Sequence, residues 1–143
     1  MTQPTQPTSI TPAQRDQLIA AACAIRGRAY TPYSRFKVGA ALLTDDGRVY
    51  TGVNVENASY GLTVCAERNA VGAMVHDGAR RIAAVAVCTD NGVTPCGACR
   101  QVLSEFVDHE SDVPVWIVDG QGDVRQTTMF TLLPDHFGPR HLQ

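Results

Sequence analysis

The sequence predicts an α/β protein, a three-layer α/β/α sandwich with a five-stranded mixed sheet, folded as a single domain. Three observations predict it. Apolar patterning runs helix, strand, strand, helix, strand, helix, strand, strand, an interleaving that packs helices on both faces of a sheet. The stretch "RIAAVAVCTD" is a continuous apolar run, as expected of a strand covered on both sides. A chain of 143 residues, 44% hydrophobic and 18% charged, has the size and balance of one globular core.

Each element follows in order. The opening "MTQPTQPTSI" is polar and Pro/Thr-rich, so residues 1–10 are expected to form a disordered tail and 11–143 the domain. The tail lacks the basic start and apolar run of a signal peptide. In Thr11-Pro12-Ala13-Gln14, Thr11 suits the cap, Pro12 the first helical position and Gln14 a capping box. The helix that follows carries Leu18, Ile19, Ala22, Cys23 and Ile25 at helical spacing and ends near Gly27. "FKVGAALLTDDGRVYTGVNV" reads as a hairpin, with strands over 38–43 and 49–53 about an Asp46-Gly47 turn. "CAERNAVGAMVHDG" is an Ala-rich helix stopped by Gly78. After the buried run, "CGACRQVLSEFVDH" reads as a helix with Val102, Leu103, Phe106 and Val107 inward. "VPVWIVD", "GQGD" and "VRQTT" give strand, turn and antiparallel strand, and "MFTLLP" a short closing helix.

Composition narrows the partners. The net charge is −2, with one lysine (Lys37), and no basic run exceeds Arg80-Arg81. That excludes a track for nucleic acid or a membrane surface and favours a small, nearly neutral molecule. No apolar stretch reaches membrane-spanning length. Five cysteines without a secretion signal argue against a disulfide framework and for a cytoplasmic protein.

Three of those cysteines stand at helix starts, Cys65 in "CAERNA" and Cys96 and Cys99 in "TPCGACRQ". Helix N-termini stabilise thiolates, and three gathered thiolates form a soft-metal site best suited to zinc. The remaining donors make poor fourth ligands. Cys23 belongs to a helix stripe and Cys88 to a buried run, both read as packed core residues. His76 and His109 are expected at the far ends of their helices, and His136 and His141 lie near the C-terminus. Three ligands and an open position define a catalytic rather than structural zinc site. Glu67, two residues past Cys65, can then serve as a proton carrier without ligating. A redox or zinc-stabilised binding module is the reading from another class, because CxxC also opens helices in thioredoxin-like proteins. It leaves Cys65 and Glu67 unexplained.

"CAE" followed some thirty residues later by "PCGACRQ" resembles the zinc-dependent cytidine deaminase superfamily, in its three-cysteine branch. "FKVGAAL" and "GVNVENASYGLTVCAERNA" are similar to its homotetrameric members. The resemblance implies hydrolytic deamination of cytidine and 2′-deoxycytidine by zinc-activated hydroxide, with Glu67 as proton shuttle and one zinc per subunit. It implies that Phe36 packs on the pyrimidine, Asn54 and Glu56 hold the ribose hydroxyls, and the Ala66 backbone meets the exocyclic amine. Arg68 is expected to offset the thiolate charge, and Phe137 to stack on the base of a neighbouring subunit in a homotetramer with shared active sites. Tyr33 and Tyr60 match subunit-contact positions. Deaminases of cytosine-nucleoside antibiotics share the zinc motifs, and "NVENAS" is the stretch that separates the two substrates.

Overall fold

The computed structural model describes residues 9–142. The first eight residues of the expected tail lie outside the described residues, and Ile10 packs against the core. Helix α1 (Pro12–Arg26) begins with the full reciprocal box: Thr11 Oγ1 accepts from the Gln14 N–H, and Gln14 Oε1 from the Thr11 N–H. Strands β1 (Gly39–Thr44) and β2 (Val49–Val53) form the hairpin, with β1 starting one residue later than the pattern indicates. A 3₁₀ turn (Tyr60–Leu62) that the sequence pattern does not announce leads to α2 (Ala66–His76). Strand β3 (Ile82–Cys88), helix α3 (Gly97–Ser104), strands β4 (Pro114–Val118) and β5 (Val124–Thr128), and helix α4 (Met129–Leu132) follow, and a second 3₁₀ turn (Pro139–His141) completes the order.

The sheet runs β2-β1-β3-β4-β5, with only the β3–β4 pair parallel. One face packs Ala41, Leu43, Ala84, Ala86, Cys88 and Trp116 against α1. The other packs Ala40, Leu42, Val85 and Val87 against α2 and α3 residues including Ala70, Met74 and Leu103. Leu18, Leu42, Met74 and Leu103 are fully buried, each contributing about 1.5–3 kcal/mol relative to exposure. Three layers and five strands match the predicted class.

One boundary differs. Helix α3 stops at Ser104, not near His109. The Phe106 carbonyl accepts the Ile82 N–H at 2.8 Å, and Asp108 Oδ1 takes the Glu110 N–H at 3.0 Å, so the chain leaves the helix in turns. Val107 is still buried, and Phe106 still packs on the core. His109 therefore stands beyond a helix end rather than on one. Among the described residues no helix is long and apolar enough to cross a membrane.

Candidate active site at two helix starts

Cys65 and Cys96 are the N-cap residues of α2 and α3, both in extended conformation. The first N–H groups of a helix lack internal partners and carry partial positive charge, so both thiols stand at a positive helix end, although Cys65 itself caps no backbone N–H. Depth is set by Gly52 in β2. A Cβ there would collide with the Ala66 carbonyl oxygen and the Ala70 nitrogen, so only a bare backbone lets the first turn of α2 sink onto the sheet. Asn69 Nδ2 fixes that turn by donating to the Val53 carbonyl at 2.8 Å. Val55 and Val64 exchange backbone hydrogen bonds of 2.9 and 3.0 Å, which stitches "NVEN" to the residue just before Cys65.

The α3 start is organised from outside the helix. Cys96 Sγ accepts the Cys99 N–H at 3.4 Å. Arg100 reaches three ways, donating to the Pro95 carbonyl (2.7 Å), Thr94 Oγ1 (2.8 Å) and the Leu132 carbonyl (2.8 Å). Its guanidinium thus ties the loop before Cys96 to the end of α4. Gln101 Nε2 donates to the Phe137 carbonyl at 3.0 Å.

These constraints bring three sulfurs together. The Sγ atoms of Cys65, Cys96 and Cys99 all lie within 4.8 Å of one another, with Cys65–Cys96 at 4.0 Å and Cys96–Cys99 at 3.4 Å. A tetrahedral zinc with sulfur ligands at about 2.3 Å spaces them by about 3.8 Å, so the triad fits one zinc ion. Among the described residues no fourth His, Cys, Asp or Glu donor joins the cluster. Cys99 is buried, Cys65 half-buried and Cys96 exposed, which opens the site on one side.

The electrostatics favour an anionic sulfur. Cys65 is drawn down to about 5, first by its bond with the Cys99 thiol and then by Arg68 and Cys96. Cys99 moves the other way because it gives up that bond when it ionises, and because burial and Glu67 oppose its charge. Arg68 Nη2 donates to the Thr63 carbonyl at 3.2 Å and to Cys65 Sγ at 3.7 Å, and its buried Nε has no protein partner. Glu67 is 4% exposed, and burial, reinforced by the Cys65 charge, holds its carboxyl above the ordinary carboxylate range. A buried carboxyl beside a metal triad has the chemistry of a proton carrier.

The other expected residues divide. Ala66, the first residue of α2, is fully buried. Asn54 is buried and already engaged: Oδ1 accepts the Val38 N–H at 2.9 Å, and Nδ2 donates to the Phe36 carbonyl at 2.8 Å. These bonds hold the half-buried Phe36 next to β1. Glu56, expected to hold ribose hydroxyls, already has protein partners. It is half-exposed, and its carboxylate takes the Ser34 hydroxyl, the Ser34 N–H (3.1 Å) and the Tyr33 N–H (3.0 Å). The Ser34 hydroxyl first, then these amides, hold it below the ordinary carboxylate range, so it is charged at neutral pH with or without a ligand. Phe137 is 57% exposed, its ring stacked on His141 at 5.3 Å. Tyr33 and Tyr60 meet edge-on at 5.8 Å on the surface.

Residue-by-residue reading passes over Gly52, Asn69 and Arg100. Gly52 interrupts a strand, which signals close backbone approach, and Arg100 directly follows the CxxC motif. Nothing local marks Asn69.

Comparison with known proteins agrees with this geometry. Residues 12–113 match the family described as the cytidine and deoxycytidylate deaminase zinc-binding region. A cytidine deaminase of Sporosarcina psychrophila is 46% identical over 129 residues, 89% of this chain and 93% of the relative. One from Halalkalibacterium halodurans is 50% identical over 125 residues, 86% and 93% of the two chains. The crystal structure of cytidine deaminase from Burkholderia pseudomallei superposes with a TM-score of 0.79 at 51% identity, covering 85% of this chain and 98% of that one.

Proposed function

The chain belongs to the cytidine and deoxycytidylate deaminase family, and we infer that it hydrolyses cytidine and 2′-deoxycytidine to uridine and 2′-deoxyuridine with release of ammonia. It is a zinc-dependent enzyme of pyrimidine salvage. The observation that carries the reading is the three-thiol cluster with a buried Glu67 two residues past Cys65 and no fourth protein donor among the described residues.

Zinc held by Cys65, Cys96 and Cys99 supplies Lewis acidity at its open position. The protein does the rest. Glu67 accepts one proton from the attacking water and passes it to ring N3, then takes the proton of the newly added hydroxyl and gives it to the departing amine. Burial, reinforced by the Cys65 charge, raises the Glu67 carboxyl above the ordinary range, which favours a group that takes up and releases a proton. Three thiolates leave the centre with net negative charge, which Arg68 and the two helix N-termini counter. The Ala66 backbone, at the N-terminal turn of α2, is assigned to the exocyclic amine and the Phe36 ring to the pyrimidine face.

Asn54 and Glu56 are assigned to the ribose hydroxyls. Asn54 keeps one amide hydrogen and carbonyl lone-pair capacity beyond its two backbone bonds. Glu56 offers a fixed anionic acceptor beside the Val55–Val64 bridge. Sites built to bond a hydroxyl reject analogues lacking it by about 10⁴–10⁵-fold.

The active assembly is assigned as a homotetramer with Phe137 reaching a neighbour's site. Support comes from the large apolar side chains left on the surface, Tyr33, Tyr60, Leu62 and Phe137, each at least 49% exposed. A cytoplasmic setting is supported by five unpaired thiols.

The deciding experiment follows the absorbance loss of cytidine, with and without a zinc chelator, beside cytosine and blasticidin S. Chelator-sensitive turnover of cytidine alone is the expected result. Equal turnover of cytosine, or preference for the antibiotic, would overturn the ribose assignment.

A further inference from the structure

The sheet separates two thiol sites. Cys65, Cys96 and Cys99 belong to the α2 and α3 side, whereas Cys88 ends β3 on the α1 side, in the core with Leu18, Ala22 and Trp116. Cys23, on α1, packs against that same cluster. Read singly, each is a packed core thiol. The structure instead sets their Sγ atoms 2.7 Å apart, Cys23 donating to Cys88, across 65 residues of chain. A disulfide bond is about 2.05 Å long, so little motion separates this contact from a covalent link.

The backbone explains the encounter. Gly39 is the partner of Cys88 in the β1–β3 ladder. A Cβ on Gly39 would collide with the Ala22 carbonyl oxygen and stand 2.9 Å from Arg26 Cα. Without one, α1 sinks against the ladder between Ala22 and Arg26, and Cys23 descends on Cys88.

Cys23 is also reachable. It lines a cleft of about 270 Å³ with Arg26, Gly27, Arg35 and Lys37. Arg26 pairs with Asp90 at 2.8 Å, and Lys37 Nζ donates to the Gly27 carbonyl at 3.0 Å. A cationic mouth over a thiol favours an anionic thiol reagent, and the two carboxylates of glutathione suit it.

We propose that Cys23 and Cys88 are a reversible dithiol–disulfide site, oxidised by glutathione disulfide that enters through this cleft. Cys23 thiolate attacks one sulfur of the reagent, the S–S bond breaks, and one glutathione leaves and takes up a proton. Cys88 then loses its proton, attacks the Cys23 sulfur of the mixed disulfide, and expels the second glutathione. The protein loses two hydrogens and the reagent is reduced to two glutathione molecules.

The exchange is slow at neutral pH. Burial, then contact with Cys88, pushes the Cys23 thiol up to about 12, against the pull of Arg26. Below that value its thiolate, and hence the rate, rises about tenfold per pH unit. Arg26, Arg35 and Lys37 are the cations facing the cleft, with Asp90 neutralising the first. In the zinc-loaded enzyme the other three thiols are ligands, which leaves this pair free to react. The inference concerns the opposite face of the sheet and stands independently of the deaminase reading.

The test incubates zinc-loaded protein with excess glutathione disulfide at mildly alkaline pH, then quenches with acid, alkylates, and maps peptides by mass spectrometry. The wild type is expected to lose the mass of two hydrogens and to carry a Cys23–Cys88 cross-link that dithiothreitol removes. Zinc content should not change. Closing a 65-residue loop should raise Tm by roughly 5–15 °C, a rise absent in Cys23→Ser treated alike. Two thiols that stay alkylatable overturn the proposal. So does a stable glutathione on Cys23 without a bridge, or a bridge to Cys96 or Cys99. The wild-type map decides the matter even if the serine variant folds poorly.

Discussion

Replacing Glu67 with glutamine removes an ionisable group and almost no volume, so it separates proton handling from packing. With the side chain 4% exposed inside the first turn of α2, the amide should sit where the carboxyl does. Glu67→Gln is expected to keep its zinc and bind cytidine while kcat falls at least ~10²–10⁴-fold. Steady-state kinetics beside metal analysis tests this, and a near-normal kcat would refute the role. The cysteines make the complementary experiment. Cys65→Ala should lose zinc and activity together, because only two of the three clustered sulfurs remain. Cys88→Ala, on the other face of the sheet, should keep both. Full zinc in Cys65→Ala would remove it from the ligand set. Cys65, Glu67, Cys96 and Cys99 are legible from sequence because each is fixed by a helix start a few residues away. The condition of Glu56 is not legible in that way. Its partners, Ser34 and Tyr33, come from a loop more than twenty residues earlier, and no local pattern joins the two.

Among the secondary-structure elements, the start of α2 depends on a strand rather than on its own sequence. Any side chain at Gly52 meets the backbone of Ala66 and Ala70, and backbone cannot swing aside as a side chain does. Gly52→Ala should therefore cost about 1–3 kcal/mol or more in stability. It should also lower zinc affinity, because lifting α2 moves Cys65 away from the α3 pair. Urea denaturation and a competitive chelator titration measure the two effects. A variant with unchanged midpoint and unchanged affinity would mean that α2 is positioned by other contacts. The hairpin is readable because Asp46-Gly47 punctuates two runs rich in apolar residues. The end of α3 is not, because Phe106 and Val107 pack inward whether the chain is helical or turning. A burial period cannot distinguish a last helical turn from consecutive tight turns. The Cys23–Cys88 encounter was hidden for a related reason. It depends on how deeply α1 settles at Gly39, a distance between layers that no one-dimensional pattern encodes.

Taken whole, the molecule leaves Phe137 and the Tyr33–Tyr60 pair on its surface, and shared active sites follow if those surfaces meet in an oligomer. A complementation experiment isolates that property. Mixing Glu67→Gln chains with Phe137→Ala chains should restore part of the activity that each lacks alone, since some hybrid sites then carry neither defect. An active monomer in sedimentation would exclude it. The fold class was legible at this scale because helix and strand periods alternate along the chain, whereas the identity of contacting surfaces is not written in any period. A last consequence comes from the two close-approach glycines. Gly52 pairs with Ala40, the residue after Gly39, so the two glycines are diagonal neighbours on the hairpin and admit helices from opposite sides. Both helices therefore press on adjacent rungs of the ladder, one from each face. Amide hydrogen exchange at Ala40, Ala41 and Ala70 should then require cooperative opening of the entire domain, with protection equal to the global unfolding free energy. The turns from 105 to 113 should exchange far sooner through local fluctuations. If so, Cys65 keeps its place until the domain opens, and any zinc loss by local motion must begin on the α3 side, at the exposed Cys96.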